Sequence, residues 1–296
     1  MSNHGTILVT GATGNTGSGV AASLLAQGHA VRALARDEHK AAGLREAGAE
    51  LVLADLDRPE TLTNALFDGV TSIYLVTWNG PTALQQSRNF LAALQRSRAT
   101  PHVVRLVGFG TPESRIISEL MTCEAELRAT RLPVTTLAPT FFMQNVLMAA
   151  PTIAEQAAIY WDWADGTVGM IDVRDIVDSA VAVLSSGEER YAGERFVLTG
   201  PTAIGFAEVA QILSRVLEKE ISYVPVPHEA ALEGMTSMGM PQWIAEGYVE
   251  LSRGFEAGYA QTTTDSVERL TGRPPRSFER FAIDFSQAFE RQPVPA

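Results

Sequence analysis

The chain has 296 residues, room for one large or two modest domains with a substantial core. Hydrophobic residues make up 46% and charged residues 19%, an ordinary globular balance, while a net charge of −11 argues against nucleic acid, whose phosphates require a basic field. No apolar run reaches the roughly 18 residues of a membrane span, no leader pattern precedes the first strand, and the lone Cys123 excludes an internal disulfide, so a soluble cytoplasmic protein is expected.

The first element is an apolar strand, Thr6-Ile7-Leu8-Val9, running into Thr10-Gly11-Ala12-Thr13-Gly14-Asn15-Thr16-Gly17. A helix carrying Val20, Leu24 and Leu25 follows. Glycines at every third position suit a sharp strand-to-helix turn. Gly11 lets the chain reverse, Gly14 lets backbone approach a pyrophosphate, and Gly17 lets the helix press on the strand. The unpaired N–H groups at the helix start would face the phosphates, so a bound dinucleotide is expected. Gly11, Thr13, Gly14, Asn15, Thr16 and Gly17 are the candidate phosphate-side residues.

Residues 30–35 read as the second strand, after Gly28 ends the first helix. Where a fold selective for NAD carries an acid to hold the ribose 2′-hydroxyl, this chain has Ala35 and Arg36. A guanidinium there clamps a 2′-phosphate, which favours NADP(H) over NAD(H). Asp37 reads as the N-cap of a helix over 38–47. Strands then follow at 50–54, 72–77, 103–107 and 134–138, with helices at 82–98 and 112–130 and a helix start at Asp57-Arg58-Pro59-Glu60. Near-continuous apolar strands alternating with helices give a parallel sheet buried on both faces. The expected fold is α/β, a doubly wound parallel sheet of the Rossmann type.

After Pro139 the texture changes. Residues 140–170 hold Phe141, Phe142, Met143, Met148, Tyr160, Trp161 and Trp163, which either line a pocket or fill an interior. Ile171-Asp172-Val173-Arg174-Asp175-Ile176 leads into a helix to about Ser185, with Asp175 read as its N-cap, and 195–199 forms another strand. Beyond Gly205 a single strand, 221–226, sits among helices. The expected organisation is a dinucleotide-binding domain over 1–150 and a smaller, mostly helical substrate domain over 151–296, with 171–200 returning to the first.

Other titratable groups read as structural. His4, His29, His39, His102 and His228 have no metal-ligand spacing, so no metal is expected. Cys123 lies among apolar helix positions as a buried thiol, and no Gly-x-Ser-x-Gly elbow is present.

Six segments together resemble the NmrA-like group of atypical short-chain dehydrogenases/reductases. They are residues 10–17, Val31-Arg32-Ala33-Leu34-Ala35-Arg36, Asp55-Leu56-Asp57, Phe141-Phe142-Met143-Gln144-Asn145, Asp172-Val173-Arg174-Asp175-Ile176 and Leu270-Thr271-Gly272-Arg273-Pro274-Pro275. That group contains NADPH-dependent quinone and dye reductases as well as redox-sensing regulators that bind NADP without turnover. The resemblance implies that Asp55 and Leu56 flank the adenine and that Thr77 lies toward the nicotinamide. It also places Phe141 and Asn145 near a substrate mouth. With Trp78, Phe109, Phe142 and Tyr160 they make up the candidate acceptor pocket.

Related dehydrogenases carry Tyr and, four residues later, Lys on the helix after the fifth strand, where one helix face presents both. Counting back from Glu124, which matches the family pattern, those positions are Ile116 and Leu120. The chain's only lysines are Lys40 and Lys219, so no change of register restores the pair. Hydride transfer without that relay suits a quinone-like or other electron-poor aromatic acceptor, whose reduced anion is delocalised. Two alternatives stay open: a non-catalytic NADP(H) sensor with a protein partner, and a biosynthetic enzyme doing non-redox work on an aromatic intermediate. A homodimer is a candidate assembly.

Overall fold

The computed structural model describes residues 5–187 and 190–290; His4 lies outside them. Seven strands form one sheet in the order β3-β2-β1-β4-β5-β6-β8. They are β1 (Thr6–Val9), β2 (Val31–Ala35), β3 (Glu50–Leu53), β4 (Val70–Leu75), β5 (His102–Leu106), β6 (Val134–Pro139) and, after a short β7 (Ala158–Trp161) elsewhere, β8 (Arg195–Leu198). Neighbours from β3 through β6 pair in parallel. The order reverses between β1 and β4, the switch point beside which ligands bind in such sheets. Every residue of β2, β5 and β6 is buried, as apolar parallel strands covered on both faces require.

The chain forms two compact units. The first runs to Gly108 and includes Glu119–Ala138 and Ile176–Phe196; the second comprises Phe109–Ser118, Pro139–Asp175 and the chain from Val197 onward. In the first unit, Leu8, Leu34, Ile73, Leu75 and Val103 of the sheet pack with Phe90, Leu91 and Leu94. Those three lie on the helix Ala83–Ser97, which is α3 after α1 (Gly17–Ala26) and α2 (Ala42–Glu46).

The second unit has its own core. Phe141, Trp161, Trp163, Phe206 and Phe255 interlock there, with Trp161 stacked on Phe206 at 4.5 Å and Trp163 edge-on to Phe255 at 4.8 Å. These aromatics therefore pack chiefly against one another. The strand expected alone at 221–226 is β9 (Ser222–Pro225), and it has a parallel partner in β7.

Several local expectations are corrected. Asp37 does not cap a helix over 38–47: its carboxylate accepts from the His39 N–H at 2.9 Å in a turn, and α2 starts only at Ala42. After Asp57 the chain forms 3-10 turns at Pro59–Thr61 and Asn64–Phe67. Asp57 instead accepts from Gln86 Nε2 at 2.8 Å. The helix expected from Pro112 is α4 (Arg115–Arg128). Asp172 takes the cap expected of Asp175: its Oδ1 accepts from the Arg174 N–H at 2.9 Å as the helix Val173–Ser185 begins. Asp175 is buried and accepts from the Arg276 N–H at 2.8 Å. Burial raises both carboxyls, but at Asp172 the bonds from Arg174 and Gln144 outweigh it and hold the acid low, whereas Asp175 stays high despite Arg276.

Within the first unit one carboxylate ties α4 to the sheet. Glu124 receives Arg128 at 2.9 Å and Arg195 at 3.2 Å, and Arg128 also donates to the carbonyls of Gly193 and Glu194 and to the Thr136 hydroxyl. Burial pushes Glu124 up, but the Thr136 hydroxyl and the two guanidiniums more than offset it, leaving the acid below the ordinary carboxylate range. A depressed folded pKa stabilises above the unfolded value and is lost as pH falls through the folded one. Glu124→Gln is expected to cost about 1–2 kcal/mol at pH 7, discounting for the partly exposed arginines. Urea unfolding of both proteins should show that difference at pH 7 and its progressive loss as pH falls below the ordinary carboxylate range.

Candidate functional site

The turn between β1 and α1 is shaped by its glycines. Gly11 has φ +60°, a left-handed conformation that suits a residue without Cβ. The Gly14 N–H closes the turn on the Gly11 carbonyl at 2.9 Å. A Cβ on Gly17 would stand 2.2 Å from that same oxygen, so the helix can begin this close to the strand only at glycine. Thr16 makes no side-chain cap, and Thr13, Gly14 and Asn15 are exposed, so the positive end of α1 is presented beside an open backbone turn.

What holds the turn at the switch point is Thr10. Its hydroxyl donates to the Val76 carbonyl at 2.9 Å and accepts from the Val76 N–H at 2.8 Å, joining the ends of β1 and β4. One residue on, Thr77 is buried and its hydroxyl accepts from Arg105 Nη2 at 2.9 Å. Arg105 is wholly enclosed on β5 and also donates to the Leu75 carbonyl at 3.3 Å. Neither Thr10 nor Arg105 was assigned a role from sequence, although a charge inside the apolar run 103–107 was a visible signal.

Other first-unit candidates are distributed along the strand ends. Arg36 is exposed one residue beyond β2. The Asp55 N–H donates to Thr61 Oγ1 and its carboxylate accepts from the Asp57 N–H. Leu56 is buried, with its carbonyl held by Asn89 at 2.8 Å. Buried Gln86 links two of these loops, accepting from the Trp78 N–H at 3.0 Å and donating to Asp57 at 2.8 Å. The Trp78 ring is half exposed and covers Gly80 so closely that a Cβ there would meet it at 2.4 Å.

The second unit carries the remaining candidates. The Phe109 N–H bonds the Pro139 carbonyl at 2.8 Å, and its ring lies 5.6 Å from Tyr259. Phe141 contacts Trp163 at 4.7 Å and Trp161 at 5.8 Å within the aromatic core. Phe142 accepts from the Asn145 N–H as a 3-10 turn starts at Met143. Tyr160, on β7, is exposed and donates its hydroxyl to Gln156 at 2.9 Å.

The relay positions are apolar and buried: Ile116 and Leu120 continue into Cys123 and Leu127 along one face of α4. Ile116 packs where a Cβ on Gly247 would come within 2.7 Å, Gly247 lying on the helix Gln242–Glu256. Burial raises the Cys123 thiol. A Ser–Asp–His contact occurs in the second unit, but Asp162 stands between Ser252 (2.9 Å) and His228 (3.1 Å), so serine is not activated by histidine. Among the described residues no three His, Cys, Asp or Glu side chains are grouped to hold a metal, and no helix is long and apolar enough to cross a membrane.

Comparison with known proteins agrees with this architecture. The chain is 35% identical over 286 residues to an NAD(P)H azoreductase of Xenophilus azovorans, covering 96% of this chain and 99% of the relative. The solved triphenylmethane reductase of Citrobacter sp., complexed with NADP(H), superposes with a TM-score of 0.81 at 25% identity over 95% of this chain and 99% of that one. An NADPH-dependent quinone oxidoreductase of Escherichia coli, complexed with NADPH, shares the fold with a TM-score of 0.85 at 20% identity, covering 95% and 99%. Residues 3–281 match the NmrA-like family, and the chain belongs to it.

Proposed function

We propose that this protein is an NADP(H)-dependent reductase that passes hydride to a quinone-like or other electron-poor aromatic small molecule. The observation that carries the reading is the glycine turn, whose geometry leaves backbone and helix dipole open to a pyrophosphate. The 35%-identical relative over nearly the full chain, named an NAD(P)H azoreductase, supports both the cofactor and the reaction class.

In this reading Gly11, Thr13, Gly14, Asn15, Thr16 and Gly17 receive the pyrophosphate, and exposed Arg36 pairs with the 2′-phosphate. Asp55 and Leu56 border the adenine end, and Thr77 lies toward the nicotinamide. Arg105 fixes which way the Thr77 hydroxyl points, because the guanidinium donates to it and leaves its proton for another acceptor. When bound, NADPH supplies the hydride. The candidate acceptor residues are Trp78 of the first unit and Phe109, Phe141, Phe142, Asn145 and Tyr160 of the second, where Phe141 packs on Trp163.

No Tyr–Lys pair is present to protonate an unactivated alkoxide, and the face it would occupy is packed with Ile116 and Leu120. Acceptors that need a strong acid should therefore be slower by about 10²–10⁴-fold, the usual contribution of such a group. Quinones and azo compounds escape that penalty through delocalisation of the charge they receive.

NADPH is expected to bind about ten- to a hundredfold more tightly than NADH, with Arg36→Ala removing most of the difference. Calorimetric titration of both cofactors against both proteins tests this; equal affinities in the wild type would refute it. Following NADPH absorbance, turnover is expected with naphthoquinones and azo dyes and almost none with simple ketones. Brisk reduction of an unactivated ketone would require a proton donor outside this scheme. Tight NADPH binding with silence across all acceptors would transfer the protein to the sensor class.

A further inference from the structure

The six tyrosines of the chain separate by what their rings and hydroxyls already do. Tyr74 is fully enclosed and its phenol is driven up by burial. Tyr160 donates to Gln156, and Tyr223 donates to the Trp161 carbonyl at 3.2 Å, its phenol pushed up to about 12 chiefly by burial. Burial also raises Tyr248. Tyr191 is half-buried, with Phe196 edge-on at 5.6 Å and the Arg190 guanidinium over its ring. Among the described residues Tyr259 alone joins a ring more than a third exposed, at 46%, to a hydroxyl that makes no hydrogen bond within the protein.

Its exposure is fixed by the backbone. Two residues beyond the helix Gln242–Glu256, Gly258 has φ +81° and its N–H on the Phe255 carbonyl at 3.0 Å. The Tyr259 N–H turns back to the Gly254 carbonyl at 3.0 Å, and the next residue, Ala260, is buried with its carbonyl accepting from the Gly169 N–H at 3.1 Å. One side of the Tyr259 ring is backed by Phe109, at 5.6 Å between centroids and 33° between planes. Phe109 is itself fixed by its bond to Pro139 and by Gly110, where a Cβ would meet Leu251 at 2.5 Å. A pre-set aromatic ring with two side-chain torsions binds a planar partner at little ordering cost.

We propose that the Phe109–Tyr259 pair is the stacking surface for the aromatic acceptor, and that the Tyr259 hydroxyl donates a hydrogen bond to its carbonyl oxygen or azo nitrogen. This rests on the reductase reading above and adds the residue that selects planar acceptors. Tyr259 is then a specificity residue.

The test uses the whole protein loaded with NADP+, which holds no hydride, titrated with menadione so that binding is read without turnover. Tyr259→Phe keeps the ring and loses the donor; Tyr259→Ala loses both. Menadione affinity is expected to fall severalfold in the first and about tenfold or more in the second, in line with one hydrogen bond and one ring contact. NADPH affinity should stay within about twofold in both. Wild-type menadione affinity in Tyr259→Ala, or Tyr259→Phe as weak as Tyr259→Ala, would overturn the proposal. Binding that depends on Tyr259 in a protein that never consumes NADPH would keep the platform and remove the reductase reading. Turnover with binding indifferent to Tyr259 would remove the platform alone.

Discussion

The candidate site depends on a close backbone approach, that of α1 to the end of β1. At Gly17 a single added carbon would stand 2.2 Å from the Gly11 carbonyl, well inside van der Waals contact, so glycine at that position sets how near the helix can lie. Thr10 then fixes where the strand end sits, because its hydroxyl both donates to and accepts from the Val76 backbone. Sheet order adds the third condition, since β1 and β4 flank the reversal. Packing, one side-chain bridge and topology thus converge on a few residues at the C-terminal ends of two strands. An anion-seeking backbone results from constraints that each have a structural cause.

The second unit shows the same use of small residues for a different end. A Cβ on Gly247 would meet Ile116, one on Gly254 would meet Thr111, and one on Gly110 would meet Leu251. Ser114 donates to the Gly247 carbonyl at 3.0 Å, and Arg115 pairs with both Glu246 and Glu250. The segment following β5 is therefore tightly bound to the helix Gln242–Glu256. In enzymes with a Tyr–Lys relay the corresponding helix face must stay open to substrate. Here Ile116 is consumed in packing, which links the missing acid to the architecture.

The features legible in sequence were those governed by neighbouring residues. The glycine spacing, the apolar strands and the strand–helix alternation gave the doubly wound sheet, because steric limits and burial act over a few residues. The relay's absence was legible because composition alone excludes lysine from α4. What could not be read were contacts made across the chain. Arg105 carries a charge inside an apolar strand, and its acceptor, Thr77, lies 28 positions away. Gln86 carried no motif, yet it joins Asp57 to Trp78. β7 was hidden in an aromatic stretch whose partner strand lies more than 60 residues on. Helix starts shifted for the same reason: Asp57 and Asp175 have cap-like local sequence, but distant donors claim their carboxylates.

Asp172 and Asp175 are held by arginines from farther along the chain. Asp172 binds the Arg174 guanidinium, which reaches on to Asp284 at 2.6 Å, while Asp175 takes both the backbone N–H and the guanidinium of Arg276. Arg276 directly follows the Leu270–Pro275 segment, so the Asp175–Arg276 pair joins two segments about a hundred residues apart. Their shared task is to fasten the C-terminal segment within the second unit. The burial that raises Asp175 also makes its pairing with Arg276 costly to break. Acidity inside a motif therefore marks a fastening here. Arg36 beyond β2 and Tyr259 beyond the helix Gln242–Glu256 are exposed instead, and neither stands out by residue type alone.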